Sequence, residues 1–285
     1  MRIVENVFEI AESFMKSPRY VFMNNAKIDL LADTISQTEK PVFPFPDKGI
    51  EYFPAVVREL VAASINYCYW YGRDNVRPNG AGSTRMYELL ANAFFDFKYA
   101  SVDTFTKCIN DFWKLMAIER FPMLEERRKH LDELVGSGME FCIYVESGKY
   151  DLEYLLNEMV ERFPGFASDI FLKRASLFFI QLHRRFGWYS DELHNLHVPA
   201  DYQVPKMIEH FGCTYYSSDL DNRIKSNIQI PKNSLEECEI RAATILTVKR
   251  FCELTGWNVS EIDSFFFLNR HSAEKPFHLT ITTDY

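Results

Sequence analysis

No stretch of the sequence approaches the roughly 18 to 20 consecutive apolar residues that cross a bilayer. The start, MRIVENVFEI, carries acids where a secretory leader carries bases, so a cytoplasmic chain without a membrane partner is expected. There is no surplus of positive charge. Lys and Arg number 32 against 40 Asp and Glu, and the net charge of -8 repels a polyanion, so no long nucleic-acid partner is expected. Cysteine pairs are missing too: Cys68, Cys108, Cys142, Cys213, Cys238 and Cys252 stand singly, with no CxxC and no clustered Cys/His spacing. That pattern excludes a structural zinc site and points to reduced, buried thiols. His194 and His197 in DELHNLH are the best metal-like pair, but nothing nearby completes a ligand set, and the segment reads as a polar loop. No metal and no other cofactor is expected. GxGxxG, GxxxxGK[ST], HExxH and GxSxG are all absent, which removes the common dinucleotide, P-loop, metalloprotease and serine-hydrolase signals. No Ser- or Gly-rich linker, repeat or low-complexity block divides residues 1–285, so one compact domain is expected.

Rings are abundant: 25 Phe, 15 Tyr and 4 Trp, enough to fill a core and still line a pocket for a flat ligand. Apolar residues recur at helical spacing over 54–65, 85–97, 104–119, 125–134, 152–162, 167–186, 206–211, 235–255 and 260–269. Gly and Pro fall between these stretches, at Gly80, Gly82, Pro164, Gly165, Pro205 and Gly212. Strand signals are short: Phe141 to Val145, Cys213 to Tyr216, and the alternating tail Leu279 to Thr283. The expected fold is mainly α with at most a small β element.

Two carboxylates sit in unusual settings. Asp263 in NVSEIDSFFFLNRH lies three residues after Ser260, a spacing that suits a helix cap. The same residue shares a helical face with Phe266 and Phe267, where desolvation would raise its pKa and favour proton-transfer or cation-stabilising chemistry. Asp201 in HVPADYQVPKMIEHFG precedes Pro205, which suits either a turn beside a helix N-terminus or the second carboxylate of a glycosidic-bond cleaving site. In INYCYWYG, Tyr67, Tyr69, Trp70 and Tyr71 are core rings or the walls of a heterocycle pocket. Lys173 and Arg174 interrupt an apolar helix, either snorkelling to solvent or meeting a phosphate monoester. Glu239 and Arg241, at the start of a long apolar helix, suit a buried ion pair or hydrogen-bond network.

Taken in order, ELVAASINYCYWYG, LKRAS, ADYQVPKMIEHFGCTYYSSDL, ECEIRAATILTVKRF, EIDSFFF and PFHLTITTDY resemble the queuosine salvage protein family, the queuosine 5'-phosphate N-glycosylases/hydrolases. The resemblance runs from about residue 54 to the end of the sequence, and its most specific part is ADYQVPKMIEHFG followed by YSSDL and EIRA. It implies a mainly helical fold resembling the helix-hairpin-helix DNA glycosylases. It also implies cleavage of the N-glycosidic bond of queuosine 5'-monophosphate, releasing queuine for salvage into tRNA modification. Carried over by position, it implies catalytic roles for Asp263, beside the anomeric carbon, and Asp201, against the base or its amine, in an assignment that is exchangeable. Phe267 falls on an aromatic wall, Lys173 is the candidate phosphate contact, and Tyr202 and Trp70 are further candidate substrate-binding residues. Two departures stand out: VFPFPDKGIEYFP offers no His where the family has a substrate-contacting one, and Leu268 replaces an acidic residue. A helix-hairpin-helix DNA glycosylase acting on damaged bases and a non-catalytic nucleotide-binding protein are the alternatives. VPKMIEHFGCTYYS is not basic enough to favour the first.

Overall fold

The computed structural model describes residues 3–44, 51–71, 82–97 and 101–285. In chain order the elements are α1 (Ile3–Met15), β1 (Val21–Met23), α2 (Asn25–Ser36), α3 (Tyr52–Ser64), α4 (Gly82–Ala93), α5 (Val102–Ile118), α6 (Leu124–Glu146), α7 (Leu152–Arg162), α8 (Pro164–Ala167), α9 (Lys173–Phe186), α10 (Gln203–His210), β2 (Thr214–Tyr216), α11 (Ser218–Lys225), α12 (Leu235–Thr255) and α13 (Val259–Leu268). The fold is mainly α, and the β element among the described residues is a two-stranded sheet. No helix among them is long and apolar enough to cross a membrane. All six cysteines are buried, and none forms a disulfide.

The chain gathers into two compact units, the first from Met1–Phe45, Ile170–Ile281 and Tyr285, the second from Pro46–Asp169 and Thr282–Asp284. In the first unit α12 is the central helix, buried along most of its length, with α1 and α2 packed against it. The Ser234 hydroxyl caps its start by accepting the Glu237 N–H, and Gly256, at φ 70°, ends it in the left-handed conformation that glycine adopts without strain. Glu239, fully buried in this helix, accepts the backbone N–H groups of Arg19, Tyr20 and Val21 at 2.7–3.1 Å. This fixes the start of β1, which pairs antiparallel with β2 in the register Val21 to Tyr216. Arg241 turns elsewhere: it donates to the Ala200 carbonyl at 3.0 Å, lies 3.5 Å from Glu237, and stacks between Phe171 and Tyr285. Both residues thus serve buried networks, with different partners.

In the second unit α3 packs on α6, and α5 lies against α4 and α6. Arg127 of α6 is fully buried and donates to the carbonyls of Pro122, Ile65 and Tyr67, with its guanidinium over the Tyr67 ring. A charge is tolerated there because each edge of the planar fork meets an acceptor.

Three sequence expectations change. Phe141 to Val145 is not a strand but the last turns of α6: Phe141, Cys142 and Val145 are buried at helical spacing, and a short apolar run does not separate the two periods by itself. The helix expected over 167–186 begins only at Lys173: residues 168–172 form a turn, and Leu172, at φ 47°, precedes the first residue of α9. The tail Leu279 to Thr283 alternates as expected but forms no ladder. Thr280 and Thr282 point inward, Leu279 and Ile281 are only half-buried, and the Leu279 carbonyl accepts one bond, from Ile230. The Cys213 to Tyr216 signal is β2.

Glu239 sets an expected outcome. Glu239→Ala leaves three N–H groups without their acceptor and should cost about 3 kcal/mol or more in urea unfolding, with Glu239→Gln losing about half as much. A loss below about 1 kcal/mol for the alanine variant would contradict the anchoring role.

Candidate active site

The Asn258 side chain accepts the Glu261 N–H at 3.1 Å, and the Glu261 carboxylate accepts the Asn258 N–H at 2.8 Å. This reciprocal box starts α13 and corrects the expectation that Ser260 and Asp263 form the cap. The N-cap lies two residues earlier, Ser260 is inside the first turn, and Asp263 is released from capping. One helical turn further in, Asp263 points into the first unit and is 4% exposed.

Its partner is Arg184, in the last turn of α9. The Arg184 guanidinium donates to Asp263 Oδ2 at 2.5 Å and to the Ser260 carbonyl at 3.4 Å, with both side chains of the ion pair buried. Phe43 lies over the other face of the guanidinium, 4.4 Å from its centre, and Phe43 also approaches Phe267 with ring centroids 5.9 Å apart. The segment carrying Phe43 is tied down by Lys40, 2.7 Å from Glu261 of the capping box. Asp263 Oδ1 accepts nothing from the described residues and is left for a ligand or water.

Asp201 lies just before α10 and caps it: Oδ1 accepts the N–H groups of Gln203 at 2.6 Å and Val204 at 3.2 Å. Its other oxygen carries no bond from the described residues. Asp201 is close enough for its charge to act on Asp263, and so is Lys173, buried in the first turn of α9. Burial is the largest influence on Asp263 and pushes its carboxyl above the usual carboxylate range. The Arg184 charge and hydrogen bond oppose that rise, the Asp201 charge reinforces it, and Lys173 opposes it. Two carboxylates and two cations from α9, α13 and the turn before α10 therefore share one electrostatic neighbourhood.

Phe267, one turn beyond Asp263, lies beneath the Arg270 guanidinium, 4.0 Å from its centre. Tyr202 stacks on Phe277, with centroids 4.5 Å apart and planes inclined at 30°. Trp70 belongs to the second unit, edge-on to Tyr71, and its buried indole N–H has no acceptor among the described residues. Leu268 is exposed on α13, and the stretch without His, residues 42–54, lies partly outside the described residues. His194 and His197 do not gather a metal set: His197 is buried with its ring edge-on to Phe8, and no group of three His, Cys, Asp or Glu among the described residues suits a metal ion.

Sequence reasoning passed over Arg184, Phe43, Lys206 and Arg270. A signal for Arg184 was present. It lies eleven residues after Lys173, three helical turns, so the two cations line one face of α9. What the spacing does not reveal is the carboxylate 79 residues away in sequence that this face meets.

The pair also sets two expected outcomes. The folded pKa of Asp263 stands above its unfolded value, so protonation favours the folded state. That contribution is complete below the unfolded pKa and is lost as pH rises through the folded one. Asp263→Asn should therefore melt above the wild type at pH 8, with the gap closing towards pH 4; a variant that melts lower at pH 8 contradicts the burial penalty. In a carbon-13 NMR titration, Arg184→Met should move the Asp263 midpoint up and Asp201→Asn should move it down. Shifts of the same sign would contradict the charge arrangement.

Residues 58–265 match the family described as queuosine salvage protein. Among curated proteins the chain is similar to the queuosine 5'-phosphate N-glycosylase/hydrolase of Sphaerobacter thermophilus, 26% identical over 67% of this chain and 66% of the relative. It is similar to that of Schizosaccharomyces pombe, 27% identical over 53% of this chain and 49% of the relative. It is also similar to that of Mus musculus, 23% identical over 65% and 64%. The chain spans from about half to just under two thirds of the length of these relatives.

Proposed function

The chain belongs to the queuosine salvage protein family, and from that membership we propose that it hydrolyses the N-glycosidic bond of queuosine 5'-monophosphate. Water adds its oxygen to the ribose anomeric carbon, the bond from that carbon to the base nitrogen breaks, and a proton passes to the departing base. The products are queuine, for salvage into tRNA modification, and ribose 5-phosphate. Activity, substrate and the cytoplasmic setting belong to this reading together. The names of the relatives and the acidic net charge, suited to a mononucleotide rather than a long nucleic acid, support it. The family match begins in the second compact unit and ends in the first, which supports treating residues 1–285 as one functional domain.

The observation that carries the reading is Asp263: buried, held by Arg184 through one oxygen, and with the other oxygen open. Glycosidic cleavage builds positive charge on the ribose ring, and a fixed carboxylate in a poorly solvated site stabilises that charge without reorganising. The same carboxylate accepts a proton from an attacking water, and its raised pKa makes it a stronger base than an exposed aspartate. Asp201, anchored through Oδ1, offers its free oxygen to the protonated secondary amine of the queuine base. Phe267 provides an aromatic wall, and Tyr202 is a further ring candidate for the base.

The test is release of queuine from queuosine 5'-monophosphate, followed by chromatography for wild type, Asp263→Asn and Asp201→Asn. We expect wild-type release, a loss of at least about a thousandfold in kcat for Asp263→Asn, and a raised KM for Asp201→Asn. The acid limb of the wild-type profile should lie above the ordinary carboxylate range, because Asp263 must be ionised to act. Tight binding of intact nucleotide without release would contradict catalysis and leave a binding protein. Release of a damaged base from DNA instead would favour the DNA glycosylase alternative.

A further inference from the structure

A groove of about 500 Å³ opens in the second compact unit, between the end of α4 and the outer side of α5. Ala93, Phe95 and Asp96 line it from the α4 side. Phe94 meets Phe105 with ring centroids 6.2 Å apart, which sets the end of α4 beside the first turns of α5. Phe95 therefore stands near the N-terminal end of α5, and Ile118, also in the lining, stands at its C-terminal end. Phe95 is 77% exposed and Ile118 76%. One exposed apolar side chain is ordinary on a protein surface; two along one groove, with charges ordered between them, are the mark of an interface.

Along α5 the lining residues Thr104, Lys107, Asp111, Lys114 and Ile118 follow one another at alternating steps of three and four, the spacing of a helix seam. They lie on the side of α5 away from Phe105, Ile109, Phe112 and Met116, which are buried. Asp111 meets Lys114 at 3.1 Å in an exposed pair of little energetic weight, and Lys107 forms no ion pair among the described residues. Lys107 and Lys114 balance Asp96 and Asp111, so the groove is locally neutral in a chain of net charge -8, and two copies can meet there without the repulsion carried by the rest of the surface. The order of signs along the seam then selects a direction. A two-fold axis parallel to α5 would set Lys107 on Lys107 and Asp111 on Asp111, which is repulsive. An axis perpendicular to α5 near residue 109 sets each Lys107 on the Asp111 of the other copy. The same operation carries the Phe95 end of each copy onto the Ile118 end of the other.

We propose that this groove is the interface of a homodimer, occupied by a second copy of the chain whose α5 runs antiparallel to the first, with Lys107 and Asp111 paired reciprocally across the two-fold axis. Each Asp111 then sits between its own Lys114 and the Lys107 of the other copy, and Phe95 and Ile118 are both covered. The seam is complementary to itself only when reversed, which is what an isologous contact requires. One helix face and the end of a second helix bury an area at the low end of the range for stable complexes, so the dimer is reversible, with a dissociation constant of about 10–100 µM.

The experiment is sedimentation velocity on the full chain over a concentration series from about 5 to 300 µM, spanning the expected dissociation constant. Lys107→Asp, Asp111→Lys, Ile118→Ser and an equimolar mixture of the two charge variants run beside the wild type, and circular dichroism establishes that each variant is folded. We expect the wild type to pass from monomer to dimer across the series. Each charge variant alone should weaken dimerisation at least tenfold, because it sets like charges across the axis. The mixture should recover it to within about threefold, because a Lys107→Asp copy meets an Asp111→Lys copy with both contacts attractive. Ile118→Ser should weaken it about fivefold through the lost apolar contact. Should one charge variant fail to fold, the double variant Lys107→Asp/Asp111→Lys replaces the mixture, since it restores the pairing within a single chain type. A wild type that stays monomeric throughout overturns the proposal, as does a dimer indifferent to both charge variants. Loss in each charge variant without recovery in the mixture or the double variant also overturns it, because that pattern marks damage to α5 rather than reciprocal pairing. None of these readouts uses a nucleotide, so the result is independent of the reaction proposed above.

Discussion

The candidate site depends on one buried ion pair, Arg184 with Asp263 at 2.5 Å. Removing two charges from water is costly, and a buried pair of this kind is a weak source of stability. What it supplies is position. Arg184 is fixed by Phe43 above it and by Asp263 and the Ser260 carbonyl at its edge, and Asp263 in turn is fixed by Arg184. Much of the surrounding local structure serves that geometry. The Asn258–Glu261 box sets the start of α13, Gly187 at φ 72° ends α9 just after Arg184, and the Lys40–Glu261 contact ties the Phe43 segment to the same helix end.

Strongly periodic elements were legible from the residues alone. The expected limits of α7 and α12 coincide with the observed ones, because a Ser or Asp cap and a long apolar rhythm mark both. Four helices are missing from the sequence reading: α8, a single turn whose Pro164 and Gly165 read as a boundary, and α1, α2 and α11. The α1 segment was weighed only as a leader, and α2 and α11 carry many polar residues. Phe141 to Val145 misled because a five-residue apolar run fits either period, and only its continuity with the preceding turns of α6 decides for helix. The tail misled in a different way. Its period of two is real, but threonines occupy the buried positions, so the alternation reports burial and not a strand ladder.

At the site, the two aspartates were legible because each stands in a segment otherwise devoted to apolar or helix-starting residues. Their partners were not. Arg184 is one of two adjacent arginines at a helix end, a pattern that ordinarily faces solvent, and Arg270 and Lys206 are single cations in polar stretches. What makes them informative is counter-ion bookkeeping, which requires three dimensions. Arg184 has its carboxylate, Lys275 has two, and Lys206 and Arg270 have none among the described residues. Family membership adds the chemistry that joins these observations. Under the proposed reaction, the ribose lies against Asp263 and the amine of the base meets Asp201.

The most direct test of this account is a crystal structure of the Asp263→Asn variant soaked with queuosine 5'-monophosphate. The account predicts the intact nucleotide with its anomeric carbon within about 4 Å of the residue 263 side chain, contact distance for heavy atoms. Its base amine should lie towards Asp201. A nucleotide bound in another part of the molecule, with the side chain at position 263 still enclosed and touching only Arg184, would contradict it.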